Sequence, residues 1–186
     1  MKKIFFVVLF LLFFVSPVSA IETGGVQLPD SVTVAGEKLT LNGAGLRTKL
    51  FFKIYAGGLY LIKPLPDAQA IINADEPMLV RMHFIYDGVS AEKLQDGWKD
   101  GFALTVPDAD ENLQQAIVAF TGLFKEQAQE NDVYDIFWLP GNGMEIRFNG
   151  KLQGEISGLD FKKGLFGIWL GKDPVDDDLK EGMLGR

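Results

Sequence analysis

Residues 43–61, GAGLRTKLFFKIYAGGLYL, constrain the fold more than any other segment, because polar and apolar side chains alternate along them. Alternation with period two predicts a long β-strand with two different faces. One face carries Arg47, Lys49, Lys53 and Tyr55. The other carries Leu46, Leu50, Phe52 and Ile54. The second face is apolar, so the segment is expected to contribute to a hydrophobic core.

Two residues of the polar face are candidates for ligand binding. A guanidinium such as that of Arg47 can hold a carboxylate with two hydrogen bonds, and the phenol of Tyr55 can donate another. The leucines and phenylalanines nearby are suited to the walls of an apolar site. Lys49 and Lys53 are interpreted differently, as lysines on a water-exposed strand face that discourage pairing at a sheet edge.

The N-terminus, residues 1–20, has the pattern of a signal peptide. Lys2 and Lys3 precede an apolar run at 4–15, and small residues precede the expected cleavage after Ala20. The run is 12 residues long, shorter than the roughly 20 that span a bilayer. The sequence therefore predicts a periplasmic or secreted protein with no stable membrane insertion after cleavage. An uncleaved N-terminal anchor is the alternative.

The remaining residues, 21–186, are acidic and suit a single domain. Without Lys2 and Lys3 they carry 16 basic and 25 acidic residues, a net charge of −9. Such a surface repels nucleic acid and anionic membranes, so no nucleic-acid partner is expected. The chain contains no cysteine, so its stability cannot depend on a disulfide. An exported protein of this kind suits a bacterial periplasm.

The order of the elements predicts an α+β domain over residues 21–186. Evenly spaced apolar residues indicate strands within 21–42 and at 78–85, 133–139, 144–148 and 152–156. Helices are predicted at 67–73, from the cap Ser90 to 102, from the capping pair Asp108 and Glu111 through Phe124, at 161–169 and at 176–183. Asn149-Gly150 predicts a tight hairpin. We expect an antiparallel sheet with helices on one face.

Common catalytic and metal-binding patterns are missing. His83 is the only histidine and there is no cysteine, so neither a zinc site nor a cofactor is predicted. We interpret His83 as a structural or surface residue. The acidic segment 173–178 lacks the glycine and the final glutamate of a calcium loop, and it is interpreted as the start of a helix. No nucleophile elbow, phosphate loop or dinucleotide fingerprint occurs.

Three segments, 45–61, 84–93 and 165–175, resemble the chalcone isomerase superfamily, specifically its bacterial chalcone isomerase-like branch. They read GLR followed by FKIYAGGLYL, then FIYDGVSAEK, then LFGIWLGKDPV. The resemblance implies an open-faced β-sandwich, in which helices pack over a large antiparallel sheet and leave a cleft between the two layers.

The resemblance also implies which catalytic groups are missing. Plant chalcone isomerases close a flavanone ring with an arginine, a threonine, a tyrosine, an asparagine and a C-terminal hydroxyl residue. Arg47 matches the arginine, and Tyr55 takes the place of the threonine. Ser90 and Gly97 take the places of the tyrosine and the asparagine, and Ile168 that of the hydroxyl residue. Flavanone chemistry is therefore not expected.

Other superfamily members bind fatty acids without catalysis and hold the carboxylate with an arginine and a tyrosine. Arg47 and Tyr55 are similar to that pair, so the resemblance implies an exported protein that binds a small amphipathic anion such as a fatty acid. One alternative is an isomerase for an enone or chalcone-like carbonyl, in which Arg47 polarises the oxygen and Tyr55 relays a proton. The other is an assembly role with an occluded cleft and an exposed apolar patch.

Overall fold

A computed structural model describes residues 20–186; residues 1–19 of the predicted signal peptide lie outside that range. The strands are β1 (Ala20–Thr23), β2 (Val26–Pro29), β3 (Ser31–Val34), β4 (Glu37–Lys49), β5 (Phe52–Leu61), β6 (Met78–Phe84), β7 (Val133–Leu139), β8 (Gly143–Phe148) and β9 (Lys151–Ile156). The helices are α1 (Ala68–Asn73), α2 (Ala91–Thr105), α3 (Glu111–Thr121), α4 (Leu159–Leu170) and α5 (Asp177–Met183).

Seven strands, β3 to β9, form one sheet in chain order, and every neighbouring pair is antiparallel. The sheet is curled into a half-barrel with the helices packed on one side. This arrangement confirms the predicted α+β class and the open-faced sandwich. Among residues 20–186, none of the helices has the length and apolar character needed to cross a membrane.

The two faces of the sheet bury separate hydrophobic clusters. The larger cluster lies between the helices and the sheet and is rich in aromatic residues, among them Phe84, Trp98, Phe120, Tyr134 and Trp169. The smaller cluster lies on the other face, where residues of the β1–β2 hairpin pack against β4 and β5. Helices therefore cover only one side of the sheet, and the second side is covered partly by a hairpin.

The prediction of one long strand through residues 43–61 is wrong, because the chain reverses at Leu50 and Phe51. β4 ends at Lys49 and β5 begins at Phe52, and Leu50 adopts a left-handed φ of 59°. The reversal contains no glycine, asparagine or proline, so the sequence carries none of the usual turn signals. Leu50 and Phe52 were also predicted to face a core, but they are 81% and 52% exposed.

The other predicted elements are found close to their expected positions. Ser90 caps α2 as predicted, and Asp176 caps α5. The cap of α3 is Asp110 rather than Asp108, because residues 106–109 form a preceding turn that closes with a hydrogen bond from the Ala109 N–H to the Val106 carbonyl. The predicted tight hairpin joins β8 to β9.

Helix α5 packs against β4 with almost no side chain between the two backbones. A Cβ atom on Gly45 would lie 2.5 Å from the carbonyl oxygen of Leu179, and one on Gly182 would lie 2.5 Å from that of Ala44. Such contacts exclude any larger residue. The glycines therefore allow α5 to lie directly on the strand that carries Arg47.

A lysine, Lys162, is completely buried in α4, which the sequence analysis did not predict. Its Nζ donates three hydrogen bonds, to the carbonyl oxygens of Ile71 (2.7 Å), Ile72 (2.9 Å) and Ala74 (2.9 Å). These carbonyls end α1 and would otherwise have no donor from the next turn of helix. Burial lowers the pKa of the Lys162 ammonium to about 8. The lysine thus joins α4 to α1.

Candidate ligand-binding cleft

A cleft with a volume of about 420 Å³ opens between the β4–β5 hairpin, β6, and helices α2 and α4. It is lined by Arg47, Lys49, Leu50, Phe52, Ile54, Tyr55, Met82, Tyr86, Gly88, Val89, Lys93, Leu94, Gly97, Trp98, Ile168, Trp169 and Val175. Most of these side chains are apolar, and the volume lies within the range of about 300–1,000 Å³ that is usual for small-molecule sites.

The hairpin brings the two candidate residues together in this cleft. Arg47 on β4 is directly opposite Tyr55 on β5. Residues in that relation have Cα atoms about 5 Å apart and side chains on the same face. On a single strand, eight residues would separate them by about 26 Å. The shared face is therefore correct, but the predicted single strand is not, and the observed hairpin is better suited to one ligand group.

Arg47 is partly neutralised by a carboxylate that the sequence analysis did not connect with it. Its Nη1 donates to Asp176 Oδ2 at 3.3 Å and to the carbonyl of Thr48. Asp176 also accepts from the backbone N–H groups of Thr48 and Leu179, both at 3.0 Å. Within residues 20–186, the Nε and Nη2 groups of Arg47 make no hydrogen bond, so they remain available to a ligand.

Tyr55 is held as a hydrogen-bond donor. Its hydroxyl oxygen accepts from Trp169 Nε1 at 3.1 Å. Burial raises the pKa of the phenol to about 12, against a smaller lowering by the Trp169 hydrogen bond and the charge of Arg47. The hydroxyl is therefore protonated at neutral pH. In the described part of the chain it has no acceptor of its own, so its proton is available to an oxygen atom in the cleft.

Two lysines lie at the rim. Lys49, at the end of β4, and Lys93, in the first turn of α2, are exposed and line the cleft. Neither has an acidic partner among residues 20–186. Lys53 is exposed and does not line the cleft. The sequence analysis missed Lys93 because nothing in its helix distinguishes it from a solvent-exposed lysine.

Trp98 and Trp169 both line the cleft, and their rings meet edge to face at 5.5 Å. Trp98 follows Leu94 by one helical turn, and both are buried in α2. That spacing was available in the sequence, but it indicates only a buried helix face and does not distinguish a cleft wall from a core.

Other positions singled out in the sequence differ in their relation to the cleft. Gly97 and Ile168 line it without supplying a polar side chain, whereas Ser90 lies outside the lining and caps α2. His83 is partly buried on β6 and does not line the cleft. Among residues 20–186, no cluster of three His, Cys, Asp or Glu side chains is placed to hold a metal ion.

A comparison with known protein families identifies the family of the chain. A model described as chalcone isomerase-like matches residues 20–185. The chain belongs to the chalcone isomerase-like family. Among solved structures, this family member is similar to a fatty-acid binding protein of Arabidopsis thaliana, with a TM-score of 0.70 and 18% sequence identity over 86% of this chain and 92% of that one. At this identity the likeness concerns the fold. No curated protein sequence matches significantly.

Proposed function

We propose that the protein binds a small amphipathic anion, such as a fatty acid, in the cleft and does not catalyse a reaction on it. The observation that carries the proposal is the combination of an apolar cleft with two donors at one place, the guanidinium of Arg47 and the hydroxyl of Tyr55. The similarity in fold to a fatty-acid binding protein supports it.

The polar groups fit the head of such a ligand. Arg47 keeps its Nε and Nη2 hydrogens, and Tyr55 keeps its hydroxyl hydrogen, so a carboxylate can accept from both residues. Lys49 and Lys93 add positive charge at the rim. Asp176 opposes the charge of Arg47, so we expect the apolar tail to supply most of the affinity, at about 0.8 kcal/mol for each buried methylene.

Two features argue against the isomerase alternative. A phenol with a pKa of about 12 is a poor proton relay at neutral pH. The positions of the cleft that correspond to other catalytic groups hold Gly97 and Ile168, which cannot orient a polar substrate. The assembly alternative required an occluded cleft together with an exposed apolar patch. An exposed patch is present, but the cleft is open.

Calorimetry and native mass spectrometry with dodecanoic and hexadecanoic acid test the proposal. We expect one acyl chain per protein, with affinity increasing with chain length until the cleft is full. Arg47→Gln should weaken binding about tenfold. Charge-assisted hydrogen bonds contribute about 1.5–3 kcal/mol, and a value at the lower end is expected because Asp176 already pairs with the Arg47 guanidinium.

A matched control is Arg147→Gln, which removes an arginine that lies outside the cleft and is paired with Glu145. Tyr55→Phe provides an independent variant that keeps the ring and removes the donor. Absence of acyl binding, or equal affinities for Arg47→Gln and Arg147→Gln, would refute the proposal. Conversion of chalcone above the buffer rate would favour the isomerase.

The proposal includes export, with cleavage after Ala20. It is supported by the charge and apolar pattern of residues 1–20. Sequencing the N-terminus of the protein recovered from a periplasmic or culture fraction tests it. A first residue of Ile21 is expected, whereas an intact Met1 in the membrane fraction would indicate the uncleaved anchor.

A further inference from the structure

The turn between β4 and β5 exposes three consecutive apolar side chains. Leu50 is 81% exposed, Phe51 is 96% exposed and Phe52 is 52% exposed. Tyr86, itself 37% exposed, packs edge to face on Phe52 with ring centroids 5.3 Å apart. We call residues 49–53 the hairpin tip. Exposure of this extent at adjacent positions costs solubility and calls for a physical reason.

No other part of the described chain has such a cluster. The remaining exposed large apolar residues are separated in sequence: Ile21, Leu65, Leu104, Val118 and Leu152. Single exposed residues of this kind are ordinary on a protein surface. The hairpin tip is different because its apolar side chains are consecutive and lie at a reversal of the chain, where they project together.

The charge at the tip is opposite in sign to that of the whole protein. Lys49 and Lys53 flank the three apolar residues, and Lys93 lies across the cleft mouth. All three are exposed and have no acidic partner within residues 20–186. An exposed carboxylate, Asp87, follows Tyr86. The expectation from net charge, that the surface repels anionic membranes, therefore does not hold locally at the tip.

The tip is continuous with the cleft. Lys49, Leu50 and Phe52 line the cleft on one side and are exposed to solvent on the other. A molecule that leaves an apolar phase at the tip would therefore meet the cleft wall directly.

We propose that the hairpin tip inserts into the surface of a lipid bilayer that contains anionic lipids, with Leu50 and Phe51 among the acyl chains and Lys49 and Lys53 at the headgroups. Apolar side chains flanked by lysines are the combination that binds an anionic membrane interface, and lysines can extend their charge to the headgroups. Docking of the hairpin tip on a membrane does not require the proposed ligand. Transfer of an acyl ligand between the bilayer and the cleft would, and that step rests on the proposed function.

A bilayer fits the tip better than a protein partner does. A specific protein interface buries about 800 Å² on each side. A projecting turn of three apolar residues offers much less, and the 96% exposure of Phe51 shows that almost no protein surface surrounds it. A bilayer, in contrast, surrounds single projecting side chains completely.

The absence of cysteine from the chain allows a site-specific test. Phe51→Cys is labelled with an environment-sensitive nitrobenzoxadiazole dye and mixed with vesicles made of equal parts phosphatidylcholine and phosphatidylglycerol. We expect a blue-shifted emission and at least about a twofold increase in intensity, because the probe leaves water. The matched control is Val118→Cys, which labels a 72% exposed apolar position on α3 and should not change.

The contribution of charge is tested separately by vesicle co-sedimentation. Lys53→Ser, which leaves the cleft lining intact, should weaken binding to the anionic vesicles about fivefold. Lys99→Ser, an exposed lysine on α2, should have no effect. Binding to vesicles of phosphatidylcholine alone should be weaker than to the mixture.

Three results would overturn the docking proposal. The first is an unchanged dye signal at position 51, and the second is an equal change in signal at positions 51 and 118. The third is that the protein forms a dimer without vesicles and that Phe51→Ser abolishes this dimer. The last result would assign the tip to a second copy of the chain. The dye signal requires no acyl ligand, so failure of acyl binding would refute the cleft proposal and leave docking intact.

Discussion

Two cations of the protein, Lys162 and Arg47, differ in their surroundings. Lys162 is fully buried, and its three hydrogen bonds to carbonyl oxygens match the three donors of an ammonium. The Arg47 side chain is 19% exposed, uses one nitrogen for Asp176 and Thr48, and faces an open cleft. A buried cation with every donor occupied holds the fold together, whereas one with donors left over is available for binding.

The structural role assigned to Lys162 would be contradicted most clearly if Lys162 could be replaced without loss of stability. Lys162→Met leaves the carbonyl oxygens of Ile71, Ile72 and Ala74 without this donor, so we expect the free energy of unfolding to fall by about 3 kcal/mol. Urea denaturation followed by tryptophan fluorescence measures it. The neighbouring Lys163→Met breaks only an exposed ion pair with Asp160 and should cost less than about 1 kcal/mol. Similar losses of unfolding free energy in both variants would contradict the structural role of Lys162.

The pH dependence of stability tests the burial of the Lys162 ammonium directly. The pKa of Lys162 is lowered from 10.5 to about 8 by burial, so between these values the unfolded state binds more protons than the folded state. Stability then rises with pH. The difference in unfolding free energy between wild type and Lys162→Met should grow by about 2 kcal/mol from pH 7 to pH 9.5. A difference that stays constant with pH would show that burial does not disfavour the ammonium.

For Arg47, the sharper test is removal of its counter-ion. Asp176→Asn keeps an acceptor for the cap of α5 and removes the negative charge beside the guanidinium. Affinity for dodecanoate should rise about fivefold, which corresponds to about 1 kcal/mol, while affinity for dodecanol should not change. Asp178→Asn makes the same change of charge on an exposed residue of α5 and serves as the control. A gain for both ligands, or in both variants, would mean that Asp176 does not limit anion binding.

Much of the fold could be predicted because its signals are local. The β7–β9 meander has period-two alternation and an Asn149-Gly150 turn in which both residues adopt positive φ, and the caps of α2 and α5 lie next to the helices they begin. The β4–β5 reversal could not be predicted, since the positive φ of Leu50 is imposed by strand pairing rather than by residue type.

The candidate site was predicted only in part, for related reasons. Arg47 and Tyr55 were predicted to share a face because an even number of residues separates them on a supposed single strand. They do share a face, but because they pair across a hairpin. Asp176 was predicted to lie at the start of a helix, but its contact with Arg47 spans 129 residues and leaves no local pattern. Lys162 and Lys163 are adjacent and look alike in sequence, so burial of one could not be inferred without the position of α1.

The close contact between the backbones of α5 and β4 decides whether Arg47 has its counter-ion. Asp176 reaches Arg47 only when α5, a helix of seven residues, has docked on Gly45. A small element can open locally while the rest of a protein stays folded. Opening of α5 would release Arg47 from its counter-ion while the seven strands remain paired. If the cleft binds an anion as proposed, anion binding and helix docking would compete, and a larger proportion of molecules with α5 undocked would raise the affinity for a charged head.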